Sequence, residues 1–92
     1  MSKEFDATRF MRCAYELELV SHTAVSIACA WEEFKKKDNF KNDRDAFIDY
    51  LAELPFCYYI SEGVDDRKEM LRDAIDYILE GFGDLDYLQY LA

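Results

Sequence analysis

The chain has 92 residues, 51 % of them hydrophobic and 16 % aromatic, which is enough apolar material for a folded core and too much for intrinsic disorder. Asp and Glu number 20 against 11 Lys and Arg, a net charge of −9 and a pI near 4.4. This balance argues against direct binding to nucleic acid or to an anionic membrane surface, and points to basic partners. No apolar run approaches the roughly 18 residues that span a bilayer, and the start, Met1 to Asp6, has no apolar segment of the secretory type.

In chain order, Asp6 is a candidate N-cap. From it Phe10, Cys13/Ala14, Leu17, Val20/Ser21, Ala24, Ile27/Ala28, Trp31 and Phe34 recur at three- and four-residue steps, the helical period. The segment from about Asp6 to Lys37 is therefore one long helix, or two helices broken near Ser21-His22-Thr23. Lys35-Lys36-Lys37 falls in the last turn, where cations complement the helix dipole. Residues 38–42 form a turn-rich linker. Asn42 or Asp43 caps the next helix, with Phe47, Ile48, Leu51 and Leu54 on its apolar face; Pro55 ends it near Glu53. Pro55 to Ile60 suits either a short extended segment or a helical turn. A lone strand would have no partner in this chain, which favours the turn. Asp65 or Asp66 caps the last major helix, which runs to Glu80, and Gly81 or Gly83 takes the left-handed position beyond its end. Asp84 caps a final short turn. The expectation is a single all-α domain over residues 1–92, with four to five helices around one core.

Cys13, Cys29 and Cys57 are an odd number at wide spacing, each in apolar or aromatic company. They read as small buried hydrophobes in a reducing, cytoplasmic compartment, not as a disulfide framework. There is no C-x-x-C pair, and His22 is the only histidine, so no metal site is expected. No cofactor is implied. The chain has no Gly-rich phosphate loop, no G-x-S-x-G and no H-E-x-x-H, and the expectation is that it is not an enzyme.

The acid is unevenly spread. Residues 1–37 are charge-balanced, residues 38–60 carry a net −3, and residues 61–92 carry −6. Asp66, Glu69, Asp73, Asp76 and Glu80 follow one another at steps of 3, 4, 3 and 4, which places all five on one helical face. At about 1.5 Å per residue this stripe is about 21 Å long. Asp45, Asp49 and Glu53 make a second row at i, i+4, i+8; Asp65 precedes the stripe, and Asp84 and Asp86 extend the acidic surface past Gly83. Lys68 and Arg72 flank the stripe and relieve part of its self-repulsion. Such a face serves solubility in many proteins, but it usually interleaves lysine with glutamate. A one-sided row of fixed carboxylates is also similar to a phosphate backbone. B-DNA carries about one charge per 1.7 Å of axis, and one such helix supplies about a third of that density.

A small, acidic, aromatic-rich helical chain with carboxylate rows resembles the phage-encoded DNA-mimic anti-restriction proteins of the Ocr and Arn type. The stretch Cys13-Ala14-Tyr15-Glu16-Leu17 and the Asp/Tyr-rich tail carry the likeness, together with the length. The resemblance implies a homodimer in the host cytoplasm whose carboxylates (Asp45, Asp49, Glu53, Asp65, Asp66, Glu69, Asp73, Asp76, Glu80, Asp84 and Asp86) stand where DNA phosphates would. It also implies a DNA-binding protein as partner, a restriction endonuclease of the McrBC type. Lys35-Lys36-Lys37 departs from this pattern and would have to lie off the mimic surface or pair with nearby acids. The competing expectation is an inhibitor or adaptor of the anti-CRISPR, antitoxin or immunity type, which docks by one compact acidic and aromatic patch. Seven Tyr, seven Phe and one Trp exceed what one core of this size readily hides, and the surplus, at residues 56–60 and at Tyr87 and Tyr90, suits a dimer interface.

Overall fold

In the computed structural model, which describes residues 3–18 and 22–81, an aromatic cluster organises the packing of four helices. These are α1 (Ala7–Glu16), α2 (His22–Phe34), α3 (Arg44–Ala52) and α4 (Val64–Glu80), with a single 3-10 turn at Pro55–Cys57 between α3 and α4. There is no strand among the described residues, and the fold is all-α as expected. Helix α1 packs on α2 and α4, α2 on α3, and α3 on α4, so each helix has two neighbours around a shared core. None of the described helices is long and apolar enough to cross a membrane.

Local chemistry sets the boundaries. The Asp6 side chain accepts from the Arg9 N–H and caps α1, and the Asp43 side chain accepts from the Asp45 N–H and caps α3. Periodicity continues past Glu16, yet α1 stops there, because the next residues leave helical geometry. Leu17 is the C-cap and Glu18 adopts φ +59°, a left-handed backbone that is uncommon outside glycine. Of the two alternatives the chain takes two helices: α2 begins at His22, within the predicted Ser21-His22-Thr23 position, and α1 ends earlier, at Glu16. Helix α2 ends at Phe34, so Lys35, Lys36 and Lys37 lie beyond it and not in its last turn. Pro55 begins the 3-10 turn, with Leu54 extended before it, which settles the alternatives for residues 55–60 in favour of a turn.

Helix α4 starts two or three residues earlier than predicted from a cap at Asp65 or Asp66. Gly63 is its N-cap, with extended backbone and no side-chain capping bond; Asp65 and Asp66 lie inside the first turn, where their charge acts on the helix dipole instead. Gly81 ends α4 with φ +75°, the left-handed role expected of it. Gly83 and the turn expected after Asp84 lie outside the described residues.

The core has two connected parts. Phe5 is 1 % exposed and inserts its ring 5.4 Å from that of Phe10, 5.0 Å from Trp31 and 4.6 Å from Phe47. Trp31, Phe34 and Phe47 continue the cluster with tilted and edge-on contacts, the geometries that aromatic quadrupoles favour. Ile27, Ile48, Leu51, Leu71, Ile75 and Ile78 fill the remainder. Cys57 is buried among them, but Cys13 is only half-buried and Cys29 is exposed, which corrects the expectation that all three are core residues. Small size does not bury a cysteine when its position on the helix points outward, as that of Cys29 does on α2.

Candidate functional site

The predicted acidic surface is divided by two buried arginines. Arg44 and Arg67 are 4 % and 8 % exposed. Sequence reasoning overlooked both, although a signal was present. Arg44 shares the spacing of Phe47, Ile48 and Leu51 at i, i+3, i+4 and i+7, and Arg67 shares that of Leu71, Ala74, Ile75 and Ile78. Each is an arginine on an apolar face, which requires that its guanidinium be satisfied inside the protein.

Arg44 gathers the C-terminal end of the stripe. Its Nη1 donates to Asp76 Oδ1 at 2.9 Å and its Nη2 to Glu80 Oε1 at 3.2 Å. Nε and Nη2 also donate to the carbonyl of Glu4, at 3.2 and 3.0 Å. Arg9 approaches Glu80 at 3.4 Å and donates to the Leu79 carbonyl. The Arg44 hydrogen bond, and after it the charges and hydrogen bond of Lys3 and Arg9, hold the Glu80 carboxyl below its ordinary range against a smaller opposing effect of burial. Asp76 and Glu80 are therefore structural anchors for α3, α4 and the segment leading into α1.

The second row is partly engaged as well. Arg72 Nε lies 3.3 Å from Asp45 Oδ1, and Lys68 Nζ lies 3.5 Å from Asp49 Oδ1. These cations were expected to relieve repulsion within the stripe; instead they reach across to α3. The helices pack side by side, so the shorter path for each cation runs between them. Both pairs are exposed and contribute little individually. Asp73 is half-buried within α4.

The remaining carboxylates differ. Glu53, Asp65, Asp66 and Glu69 are exposed, and no cation lies within salt-bridge distance of any of them among the described residues. Glu62, which was not among the predicted site residues, shares these properties. Asp84 and Asp86 lie outside the described residues. Two members of the lysine run are paired with acids, Lys35 with Glu32 at 3.1 Å and Lys36 with Glu33 at 3.4 Å, and Lys37 lies 5.1 Å from the Tyr50 ring centroid.

Two exposed aromatics lie in the same stretch of chain as the unpaired acids. Tyr58 and Tyr59 are 51 % and 55 % exposed. The Tyr58 hydroxyl donates to the Glu53 carbonyl at 3.0 Å, and the Tyr59 hydroxyl lies 3.0 Å from that of Thr23. Arg67 stacks beneath Tyr58, its guanidinium carbon 4.9 Å from the ring centroid. The Arg67 Nε donates to the Ala52 carbonyl at 2.8 Å, and Nη1 donates to those of Ser61 and Glu62 at 2.8 and 3.0 Å. One arginine thus ties the end of α3 to the start of α4 through three backbone carbonyls.

Among the described residues no three His, Cys, Asp or Glu side chains are grouped to hold a metal. No protein-family model matches the chain, and no curated protein and no solved structure matches it.

Proposed function

We propose that this protein is a binding module that docks on a basic partner protein through the corner formed by residues 53–69. The observation that carries this reading is the unequal fate of the carboxylates. Those at the C-terminal end of α4 are engaged by Arg44 and Arg9, whereas Glu53, Glu62, Asp65, Asp66 and Glu69 have no cation within salt-bridge distance among the described residues and lie in the same stretch of chain as Tyr58 and Tyr59. Exposed tyrosines flanked by uncompensated charge of one sign are the usual makings of a compact recognition patch. This is the arrangement of an inhibitor or adaptor of the immunity type, acting in a reducing compartment in which its three free cysteines stay reduced.

The experiment is affinity capture from a bacterial lysate with the wild type and with the triple variant Glu53→Gln, Glu62→Gln and Glu69→Gln, which keeps shape and removes three charges. Loss of the captured partner by this variant, and retention by the control Glu16→Gln, Glu18→Gln and Glu32→Gln, supports the corner. Equal capture by all three proteins overturns it.

DNA mimicry directed at a restriction nuclease is a second reading, favoured by the inward or paired placement of most cations, which leaves the outer field to the acids. It differs in one outcome: the captured partner is a DNA-binding protein, and DNA displaces the module from it. Homodimerisation, which that reading entails, draws support from the apolar surface at Tyr15, Leu17 and Val25, which are 76 %, 43 % and 44 % exposed. Light scattering at micromolar concentration decides it, because a mass near 10.9 kDa excludes the dimer.

A further inference from the structure

Resting on the corner reading, we propose that the cavity between Tyr58, Glu62 and Arg67 receives main chain of a basic partner segment, one of its carbonyls accepting from Arg67 Nη2 while a neighbouring Lys or Arg side chain lies against Tyr58 and Glu62. The cavity measures about 360 Å³. Arg67, which lines it, is only 8 % exposed, and its Nε and Nη1 are taken by three carbonyls. Among the described residues nothing accepts from Nη2, and no carboxylate lies within salt-bridge distance of Arg67. No fully buried side-chain nitrogen or oxygen lacks a partner among those residues, so Nη2 keeps contact with solvent, and Arg67 lines the cavity. A charged donor held in this way is already oriented, and accepting from it costs a ligand little reorganisation.

The surroundings select which acceptor enters. Glu62 lines the same cavity, and Glu53, Asp65, Asp66 and Glu69 flank it in the chain. This field opposes a free anion and admits a neutral carbonyl that belongs to a cationic chain. Tyr58 gives one ring face to Arg67 and is still half exposed, so its other side is open to a second cation. A guanidinium donor, a carboxylate and an aromatic ring among the residues that line one cavity match the carbonyl, the N–H and the side chain of a basic residue in turn.

The test uses the intact wild-type protein and side-chain NMR signals of Arg67 and Tyr58 at low salt. The probe is an acetylated, amidated tetra-arginine peptide; spermine, of equal formal charge without a carbonyl, and inorganic phosphate are the other arms. The peptide is expected to shift both the Arg67 and Tyr58 signals, and spermine to leave Arg67 unmoved. Tyr58→Ala and Glu62→Gln should each weaken the peptide by about three- to five-fold, and Tyr58→Phe, which keeps the ring, should retain most of the affinity. Arg67 itself stays intact, since it ties three carbonyls. Peptide binding that leaves Arg67 unmoved, an equal response to spermine, or a response of Arg67 to phosphate in place of the peptide would each overturn the proposal. If the triple glutamine variant loses its partner while Arg67 and Tyr58 stay silent, the corner reading stands and this cavity falls.

Discussion

Arg44 and Asp76 meet 2.9 Å apart across the α3–α4 packing, with the arginine side chain only 5 % exposed and the aspartate 30 %. This one contact turns a residue of the predicted acidic stripe into a structural group. Replacing Arg44 by Met leaves Asp76 and the Glu4 carbonyl without this donor and Glu80 with Arg9 alone. The expected loss is about 2–4 kcal/mol in urea unfolding at pH 7, somewhat below that for a fully buried pair because both carboxylates keep some solvent. Asp76→Asn keeps an acceptor oxygen and should cost about 1 kcal/mol. A loss below about 1 kcal/mol for Arg44→Met would show that water takes over the arginine's role.

The same cluster makes folding acid-sensitive. The Glu80 carboxyl is held below its ordinary value of 4.5 in the folded state, chiefly by the Arg44 hydrogen bond. A depressed folded value means that the stabilisation is fully present above the unfolded value and is lost as pH falls through the folded one. Stability should therefore decline as pH drops below about 4.5. The Glu80→Gln variant should be less stable at pH 7 and show a shallower decline over the same acid range. Parallel curves for the two proteins would contradict the assignment.

The cysteines should separate by reactivity. Burial pushes the Cys57 thiol up to about 12, with Arg67 opposing only in part, whereas Cys29 is exposed on α2. Brief treatment with iodoacetamide at pH 8, followed by peptide mass spectrometry, should find Cys29 alkylated and Cys57 untouched. Modification of Cys57 should appear only when denaturant unfolds the chain. Equal labelling of both in the folded protein would place Cys57 outside the core.

Phe5 anchors the segment before α1. Its backbone N–H donates to Asn42 Oδ1 at 3.0 Å, the Lys3 carbonyl accepts from the Arg44 N–H, and its ring fills the space between Phe10, Trp31 and Phe47. Phe5→Ala should cost about 3–5 kcal/mol, the range for deleting a buried aromatic ring. Phe5→Leu, which refills part of the cavity, should recover at least half of that loss. Thermal unfolding followed by circular dichroism measures both, and a near-neutral Phe5→Ala would show that the segment is not part of the folded core.

Much of the architecture was determined by the sequence alone. The three-four spacing of Phe47, Ile48 and Leu51 and of Leu71, Ala74, Ile75 and Ile78 encodes buried helix faces, Asp6 and Asp43 mark two starts, and Gly81 marks an end. These signals are legible because they depend on neighbours within one or two turns. The stripe from Asp66 to Glu80 was legible for the same reason, as a geometric row. Which of its members keep a net charge toward solvent was decided only by the tertiary structure. Arg44 is 32 residues from Asp76 and 36 from Glu80, Arg72 is 27 from Asp45, and no local rule pairs residues so far apart. Packing brings α3 against α4, a buried guanidinium then requires acceptors, and the carboxylates nearest to it become structural. Those at 53–69 have no such cation among the described residues, because Arg67, stacked on Tyr58, spends its Nε and Nη1 donors on backbone carbonyls.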